Sequence, residues 1–331
     1  MARKISVGIN WQGSLDYKAL IERVQIADAV GVHSAWVPEA WGRDAFTILA
    51  VLADRTTKIQ LGTAIVNTYS RTPAALTQHF ATLDELSGGR MIIGLGTSGP
   101  QVIEHFHGIK FDPPLTRMKE YLEIINTLMR SEPLKHSGKV FNLQRGFTLR
   151  FTPVRNHIPI YLATLNAKSV KLTAELADGW LPVMIPLPKL TDEIAALRKL
   201  SVAAGRPANA VSVRSPGAVT VTKNIDKARA ESAGTLAFYI GRMGTFYAEQ
   251  LTRHGYGEAV QAVKKGWEVN SRAAAEAVPA NLIDATSCAG SIEAGIDRIQ
   301  AQEESGVDLH SMYVDTQDNR EYEQALTKLV G

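Results

Sequence analysis

Glycines and hydroxyl residues follow one short apolar run, and their spacing suits a loop that holds a ligand. Met91 to Leu95 is apolar enough to form a buried strand. The strand ends in a small, polar segment, namely Gly94, Gly96, Thr97, Ser98, Gly99 and Pro100. Glycines at the carboxyl end of a strand let a backbone approach a flat or phosphorylated ligand closely. The segment therefore predicts a binding loop directly after a buried strand.

Polar side chains and tryptophan also follow the other predicted strands. In chain order, these strand ends are residues 10–13, 39–44, 67–71, 97–101, 164–168 and 315–317. Functional residues of an α/β barrel lie at the carboxyl ends of its strands. Hydrogen-bonding groups beside apolar platforms such as Trp11 and Trp41 suit a large, planar, polar ligand.

The same segments do not suit a metal centre or a serine hydrolase. The chain has no HExxH motif, no paired cysteines and no GxSxG motif, and its carboxylates are scattered. Residues 94–99 match the letters of GxGxxG, but no acidic residue follows a second strand about twenty positions later, which disfavours a Rossmann site. We therefore expect no bound metal.

Composition narrows the class of protein further. The net charge of +3 over 331 residues is too small to indicate nucleic-acid binding. No apolar run approaches the roughly 20 residues of a membrane span, and no signal-peptide core precedes the first strand. The single cysteine, Cys288, is expected to be a buried, inert thiol. We expect a cytoplasmic protein.

Strand-like and helix-like segments alternate along the chain. The predicted strands are 5–9, 34–38, 59–66, 91–96, 159–163, 180–184, 211–221 and 310–315, and the predicted helices include 15–30, 115–129, 167–176, 190–202 and 321–329. Eight such units without a break in composition predict a single (β/α)8 TIM barrel over residues 1–331. Two insertions are expected, a hairpin at about 138–152 and a helical segment at about 233–278 between strands 7 and 8.

Five segments make the chain resemble the luciferase-like monooxygenase superfamily, and within it the branch that uses the deazaflavin coenzyme F420. They are VPEAWGRDAFTILA (37–50), IQLGTAIVNTYSRTPAAL (59–76), LDELSGGRMIIGLGTSGPQVIEHFHG (83–108), IPIYLATLNAKSVKLTAELADGWLP (158–182) and FYIGRMG (238–244). This branch includes methylenetetrahydromethanopterin reductase. The resemblance implies a (β/α)8 barrel with an insertion late in the chain.

The resemblance also implies contacts with the coenzyme ring. A non-prolyl cis peptide behind the ring would fall between Ala64 and Ile65, and Asn67 would lie beside the ring. Thr97, Ser98 and Gly99 would face the ring edge. Sugar-phosphate dehydrogenases of this superfamily carry a glutamate at the position of Gly99, so its absence argues against that chemistry. Glu39 occupies the place of an acid near the coenzyme, although it can equally be a solvated loop carboxylate.

A phosphate site is the second implied feature. The turn comprising Thr164, Leu165, Asn166, Ala167 and Lys168 leads into a predicted helix, where free amides and a lysine attract a phosphate. Alternatively, Asn166 is only the N-cap of the helix. Arg242 is either a second cation for this site or an exposed helix residue.

His107 is the candidate acid or base. The branch has a histidine at the corresponding place after the glycine-rich loop, and histidine exchanges protons near neutral pH. The alternative is a packed, hydrogen-bonded histidine. With Glu39 and Asn67, His107 completes the predicted catalytic set.

These features predict an enzyme that transfers hydride between coenzyme F420 and an organic substrate. The first alternative is an FMN-dependent monooxygenase supplied by a separate flavin reductase. The second, from another class, is a non-catalytic flavin-binding or storage protein. In each case we expect a homodimer with a small-molecule ligand.

Overall fold

The structure is a computed structural model that describes residues 3–9 and 16–331. The predicted loop at 10–13, with Trp11, and the predicted helix start at residue 15 lie outside the described residues. The strands are β1 (Ile5–Gly8), β2 (Ser34–Val37), β3 (Gln60–Thr63), β4 (Val66–Asn67), β5 (Met91–Gly96), β6 (Leu134–Ser137), β7 (Asn142–Phe147), β8 (Ile160–Leu162), β9 (Gly179–Trp180), β10 (Ser212–Val213), β11 (Val219–Val221), β12 (Cys288–Gly290) and β13 (His310–Val314).

Helices alternate with most of these strands. They are α1 (Tyr17–Ala29), α2 (Ala45–Arg55), α3 (Pro73–Ser87), α4 (Pro100–His105), α5 (Pro114–Met129), α6 (Ala167–Leu176), α7 (Leu187–Ala203), α8 (Ile225–Arg242), α9 (Phe246–Leu251), α10 (Gly257–Val269), α11 (Ser271–Glu276), α12 (Ala280–Thr286), α13 (Ile292–Glu304) and α14 (Asn319–Val330), with a π-helical turn at Thr252–Tyr256. This alternation confirms the predicted α/β class.

The chain divides into two compact units. One contains residues up to 7, 164–175 and 180–331, and the other contains residues 8–163 and 176–179. A single domain over residues 1–331 stays a prediction.

The unit of residues 8–163 is built on parallel strands. β2 pairs with β3, β3 with β5, and β5 with both β4 and β8. Trp36, Leu61, Ile93 and Leu95 on these strands are fully buried. Runs of apolar residues without alternation are expected for parallel strands that are covered on both faces.

The LDELSGGR segment holds the turn between α3 and β5. The side chain of Asp84 is buried and accepts hydrogen bonds from the Met91 amide at 3.0 Å and from Arg155 Nε at 2.8 Å. The Arg90 guanidinium donates to the carbonyl oxygens of Ala53, Thr56, Ile59 and Ser87. This motif therefore stabilises the connection rather than binding a ligand.

The other unit has its own parallel strands and a helical insertion. β13 pairs with β1 and β11, and β11 also pairs with β12. The helices from α8 to α12 share an apolar cluster that includes Leu236, Ile240, Leu251 and Val263. The predicted helical insertion at 233–278 is thus present, within a longer helical stretch.

Several predicted boundaries differ from the structure. The predicted strand 59–66 is two strands, β3 and β4, and the predicted strand 211–221 is also two, β10 and β11. The second break falls at Pro216 and Gly217, where a side chain on Gly217 would collide with the carbonyl oxygen of Thr286. β12 was missed because three residues form no apolar run. A hairpin is present, but the predicted bounds of about 138–152 are wrong, because its first strand, β6, lies wholly before residue 138 and its second, β7, ends at Phe147.

In the part of the chain that the structure describes, no helix combines the length and the apolar character that a membrane crossing requires.

Candidate functional site

The predicted peptide bond between Ala64 and Ile65 is cis. The Ala64 amide donates to the carbonyl oxygen of Val37 at 2.8 Å, and the carbonyl of Ile65 accepts from the Glu39 amide at 3.2 Å. Both residues are partly exposed, whereas Thr63 and the β4 strand on either side of them are buried. The kink therefore presents backbone and two apolar side chains at the carboxyl ends of β2 and β3.

Gly94 and Gly96 serve this kink directly. A side chain on Gly94 would collide with the carbonyl oxygen of Thr63, and a Cβ on Gly96 would lie 2.8 Å from Ile65 Cδ1. The Thr63 hydroxyl also donates to the Gly94 carbonyl at 2.7 Å and accepts from the Gly94 amide at 2.9 Å. Strand packing therefore already requires these two glycines, so their presence does not by itself indicate a ligand.

The segment after β5 turns sharply into α4. Ser98 has a positive φ of 56°, a left-handed conformation that few residues other than glycine adopt. Thr97 and Ser98 are partly exposed, and the carbonyl oxygen of buried Gly99 accepts from the amides of Val102 and Ile103. These three predicted ring-edge residues thus form a tight loop.

Two of the three predicted catalytic residues meet. Asn67 is buried, and its Oδ1 accepts from the amides of Tyr69 at 2.9 Å and Ser70 at 2.7 Å. Its Nδ2 lies 3.4 Å from Nε2 of His107, which is partly exposed after α4. The Val102 carbonyl accepts from the His107 amide at 3.1 Å and thereby fixes the backbone of the histidine.

Glu39, the third predicted catalytic residue, is not a solvated loop carboxylate. Its side chain is only 9% exposed and pairs with both terminal nitrogens of Arg71, at 2.6 and 3.1 Å. The amide of Ala45 donates to the same carboxylate at 2.9 Å. Arg71 also pairs with Asp44 at 2.5 Å and lies over the Phe46 ring, 4.6 Å from its centroid.

Burial and pairing oppose each other in this charged cluster. Burial alone raises the pKa of Asp44, but hydrogen bonds from Thr47 and the charge of Arg71 outweigh it, so the net pKa lies below the usual value. Burial lowers the pKa of Arg71, but its hydrogen bonds and ion pairs with Glu39 and Asp44 raise the pKa by more, so the net pKa lies above the usual value. Since both oxygens of Glu39 already accept hydrogen bonds, its carboxylate is better suited to hold Arg71 in place than to exchange protons.

Arg71 was not among the predicted site residues. It belongs to the strand end at 67–71, and the strand end at 39–44 carries two carboxylates, Glu39 and Asp44. This pairing of opposite charges was the signal in the sequence that could have identified Arg71. Arg71 Nη1 also reaches the Ser70 hydroxyl at 3.4 Å. The ion-pair cluster therefore adjoins the residue whose amide holds Asn67.

Aromatic residues surround the end of β4. Tyr69 stacks on Phe111 with a centroid distance of 5.3 Å, and the guanidinium of Arg117 lies 4.5 Å from the Tyr69 ring centroid. Burial raises the pKa of Tyr69 to about 12. Beside it, the buried hydroxyl of Thr68 has no hydrogen-bond partner among the described residues.

The 164–168 turn offers backbone and a lysine rather than hydroxyls. Thr164 is buried, its hydroxyl is 2.7 Å from that of Thr173, and its carbonyl accepts from Trp180 Nε1 at 3.0 Å. Asn166 caps α6, because its Oδ1 accepts from the Ser169 amide at 3.0 Å. Residues 166–168 are exposed, so the N-cap role leaves Lys168 accessible to a ligand. The Thr164 side chain is already engaged elsewhere.

A different arginine from the predicted one lies at this turn. Arg242 stacks on Trp267, with its guanidinium carbon 4.4 Å from the ring centroid. Arg253, in the π-helical turn, donates to the carbonyl oxygen of Leu165 at 3.2 Å. No sequence motif marked Arg253, because its contact depends on how the insertion folds.

Trp41 and Cys288 complete the residues singled out from the sequence. Trp41 is half-exposed, and residues 10–13 lie outside the described part. Cys288 is partly exposed, so the prediction that it is buried is wrong. Partial burial still raises the pKa of its thiol, as expected of an unreactive cysteine. Within residues 3–9 and 16–331, no cluster of histidine, cysteine and carboxylate side chains can hold a metal ion.

Comparison with known proteins identifies the family. The model of the luciferase-like monooxygenase family matches residues 5–309. A putative coenzyme F420-dependent oxidoreductase of Mycobacterium tuberculosis is 32% identical, with 99% of each chain covered. A 5,10-methylenetetrahydromethanopterin reductase of Archaeoglobus fulgidus is 31% identical over 91% of this chain and 90% of the relative.

A solved structure agrees with this result. The coenzyme F420-dependent tetrahydromethanopterin reductase from Methanopyrus kandleri superposes with a TM-score of 0.82 at 22% identity, covering 99% of this chain and 97% of that one. At that identity the likeness shows the fold. The chain belongs to the luciferase-like monooxygenase family, a family of oxidoreductases.

Proposed function

We propose that the protein is a coenzyme F420-dependent oxidoreductase that transfers hydride between the deazaflavin and an organic substrate. The observation that carries the proposal is the contact between Asn67 and His107. Asn67 follows the partly exposed Ala64–Ile65 kink by two residues. The two relatives above, which are more than 30% identical, are named for F420 or for a pterin reductase, and this supports F420 over FMN.

The described residues fit a flat, polar ring. The kink at Ala64 and Ile65 offers a partly exposed apolar surface, and the Thr68 hydroxyl is a buried polar group without a partner among the described residues. We assign ring contacts to Ala64, Ile65 and Asn67, and to the 97–99 loop. When bound, the coenzyme supplies two-electron hydride chemistry, while the protein orients the reactants and excludes water.

His107 is the group that we assign to the substrate. It is partly exposed and hydrogen-bonded to a buried asparagine, an arrangement that orients an imidazole for hydrogen bonding or proton transfer. In the same proposal Glu39 acts through Arg71, as a positioning residue.

The phosphate contacts fall on the exposed amides of residues 166–168 and on Lys168, with Leu165 and Thr164 contributing backbone. Arg253 replaces Arg242 as the second cation of this proposal, because it binds the Leu165 carbonyl. A helix N-terminus with a nearby cation favours an anion.

The deciding experiment titrates the purified protein with F420 and, separately, with FMN, and follows the quenching of coenzyme fluorescence. We expect saturable binding of F420 and weaker binding of FMN. Tight FMN binding without F420 binding would contradict the proposal and favour a monooxygenase supplied by a flavin reductase. Coenzyme binding without turnover on a broad panel of carbonyl and alcohol substrates would favour a flavin-binding protein.

Lys168→Ala is expected to weaken coenzyme binding about tenfold, the effect of losing one charge-assisted contact of about 1.5 kcal/mol. The measurement is the dissociation constant at low salt, where surface charges act most strongly. Lys171→Ala is the matched control, because Lys171 is one turn further along α6 and pairs with Glu175 at 3.7 Å. Equal dissociation constants for the two variants would show that Lys168 does not contact the coenzyme.

We further propose a cytoplasmic homodimer that acts on a small molecule and depends on a separate reductase or dehydrogenase to regenerate its coenzyme. Light scattering of the purified protein tests the oligomeric state.

A further inference from the structure

The hydrogen bonds around Asn67 determine which way its side-chain amide points. Two backbone amides, those of Tyr69 and Ser70, donate to one atom of this side chain at 2.9 and 2.7 Å. An amide nitrogen facing two N–H groups would place donors against donors, so this atom is the oxygen. The amide nitrogen is therefore the atom that lies 3.4 Å from the His107 ring.

This orientation has a consequence for the imidazole. Nδ2 of Asn67 carries hydrogens and cannot accept a hydrogen bond, so Nε2 of His107 must be the acceptor in this contact. A neutral imidazole carries one proton, and when one ring nitrogen accepts, the other carries it. The hydrogen bond is long and therefore weak. The other tautomer would nevertheless place two N–H groups against each other, so the preference for a proton on Nδ1 remains.

We infer that Asn67 is a positioning residue that holds neutral His107 in the tautomer protonated at Nδ1. The use of this tautomer rests on the proposed function, in which Nδ1–H is the group that His107 presents to an acceptor oxygen on the ligand. Among the described residues, the ring makes no hydrogen bond other than the one to Asn67. Nδ1–H is therefore not used by another of the described residues.

The ligand chemistry follows from the donor. A neutral imidazole that donates a hydrogen bond stabilises negative charge as it develops on a carbonyl or alkoxide oxygen. The substrate class for this site is therefore a compound with an oxygen acceptor at or next to the carbon that exchanges hydride, such as a ketone or its alcohol.

Nuclear magnetic resonance of the full-length protein, labelled with ¹⁵N at histidine, reads the tautomer directly. Two-bond couplings to the ring protons distinguish a protonated from an unprotonated nitrogen. The chain has eight histidines, and the signals that disappear in His107→Ala identify the residue. At a pH where the ring is neutral, we expect Nδ1 of His107 to carry the proton. If the neutral ring in the unmodified protein is protonated at Nε2, that result by itself overturns the inference.

Asn67→Asp tests the cause. One aspartate oxygen can still accept from Tyr69 and Ser70, while the other replaces the amide nitrogen opposite His107. We therefore expect the proton to move to Nε2. Asn166→Asp is the control, because it changes another capping asparagine and should leave the His107 signals unchanged. An unchanged tautomer in folded Asn67→Asp would also overturn the inference.

The readout separates this inference from the proposed function, because it uses the protein without coenzyme. If the tautomer is as expected and F420 does not bind, the proposed function fails alone. If F420 binds and turns over but the tautomer is reversed, the role of Asn67 fails alone. In an active enzyme that is saturated with coenzyme, Asn67→Asp is expected to lower turnover at least tenfold, since a misplaced ring proton removes the hydrogen-bond donor.

Discussion

His107→Ala is expected to lower the turnover number about 10²–10³-fold, the usual effect of removing one preorganised hydrogen-bond donor from a reacting oxygen. His107 holds a fixed position, because its amide binds the Val102 carbonyl and its ring contacts Asn67. Alanine keeps the backbone bond and removes only the ring. Steady-state turnover with F420 and a ketone or alcohol substrate measures the effect, and coenzyme fluorescence measures binding separately.

His105→Ala is the matched control for this prediction. His105 ends α4 two residues earlier and is exposed, so its removal should change turnover by less than about twofold, as expected of a surface substitution. Equal activity of the two variants would show that His107 is a packing residue. The charged cluster around Arg71 would then be the next set to replace.

Asp84→Asn is expected to reduce the free energy of unfolding by about 3 kcal/mol, near the lower end for breaking a buried ion pair. The carboxylate is 1% exposed, whereas Arg155 is 31% exposed and partly screened by water, so the lower end applies. Asparagine can still accept from the Met91 amide, but its nitrogen would face the Arg155 guanidinium. Urea unfolding followed by circular dichroism measures the change.

Asp54→Asn provides the comparison for that measurement. Asp54 pairs with Arg55 at 3.3 Å, but both side chains are more than 60% exposed, so its loss should cost less than about 0.5 kcal/mol. If the two variants unfold at the same urea concentration, Asp84 contributes no more than a surface pair. The structural role assigned to the LDELSGGR segment would then be wrong.

The fold was most predictable where burial and local chemistry agree. β5 has the predicted bounds of 91–96, because all its residues are buried, and α6 has the predicted bounds of 167–176. α4 was missed because its six residues are too few to show helical periodicity. β12 was missed because its three residues form no apolar run.

The sequence predicted which residues belong to the candidate site better than it predicted the contacts between them. The resemblance picked out Asn67 and His107, but a single sequence cannot show that residues 40 positions apart meet. Glu39 was assigned without its partner, since nothing local links it to Arg71. Thr164 was predicted to contact the coenzyme, but the sequence could not show that its hydroxyl is bonded to that of Thr173.

The helices from α8 to α12 form a cassette with an interior of its own. Their apolar cluster draws almost all its members from this stretch, and buried Gln250 fastens it by donating to the carbonyls of Val183 and Met184. Because its stability comes mainly from its own residues, the outward positions of this cassette can change without disturbing the packing of the strands. Substitutions at these positions can therefore accumulate independently of those in the strands.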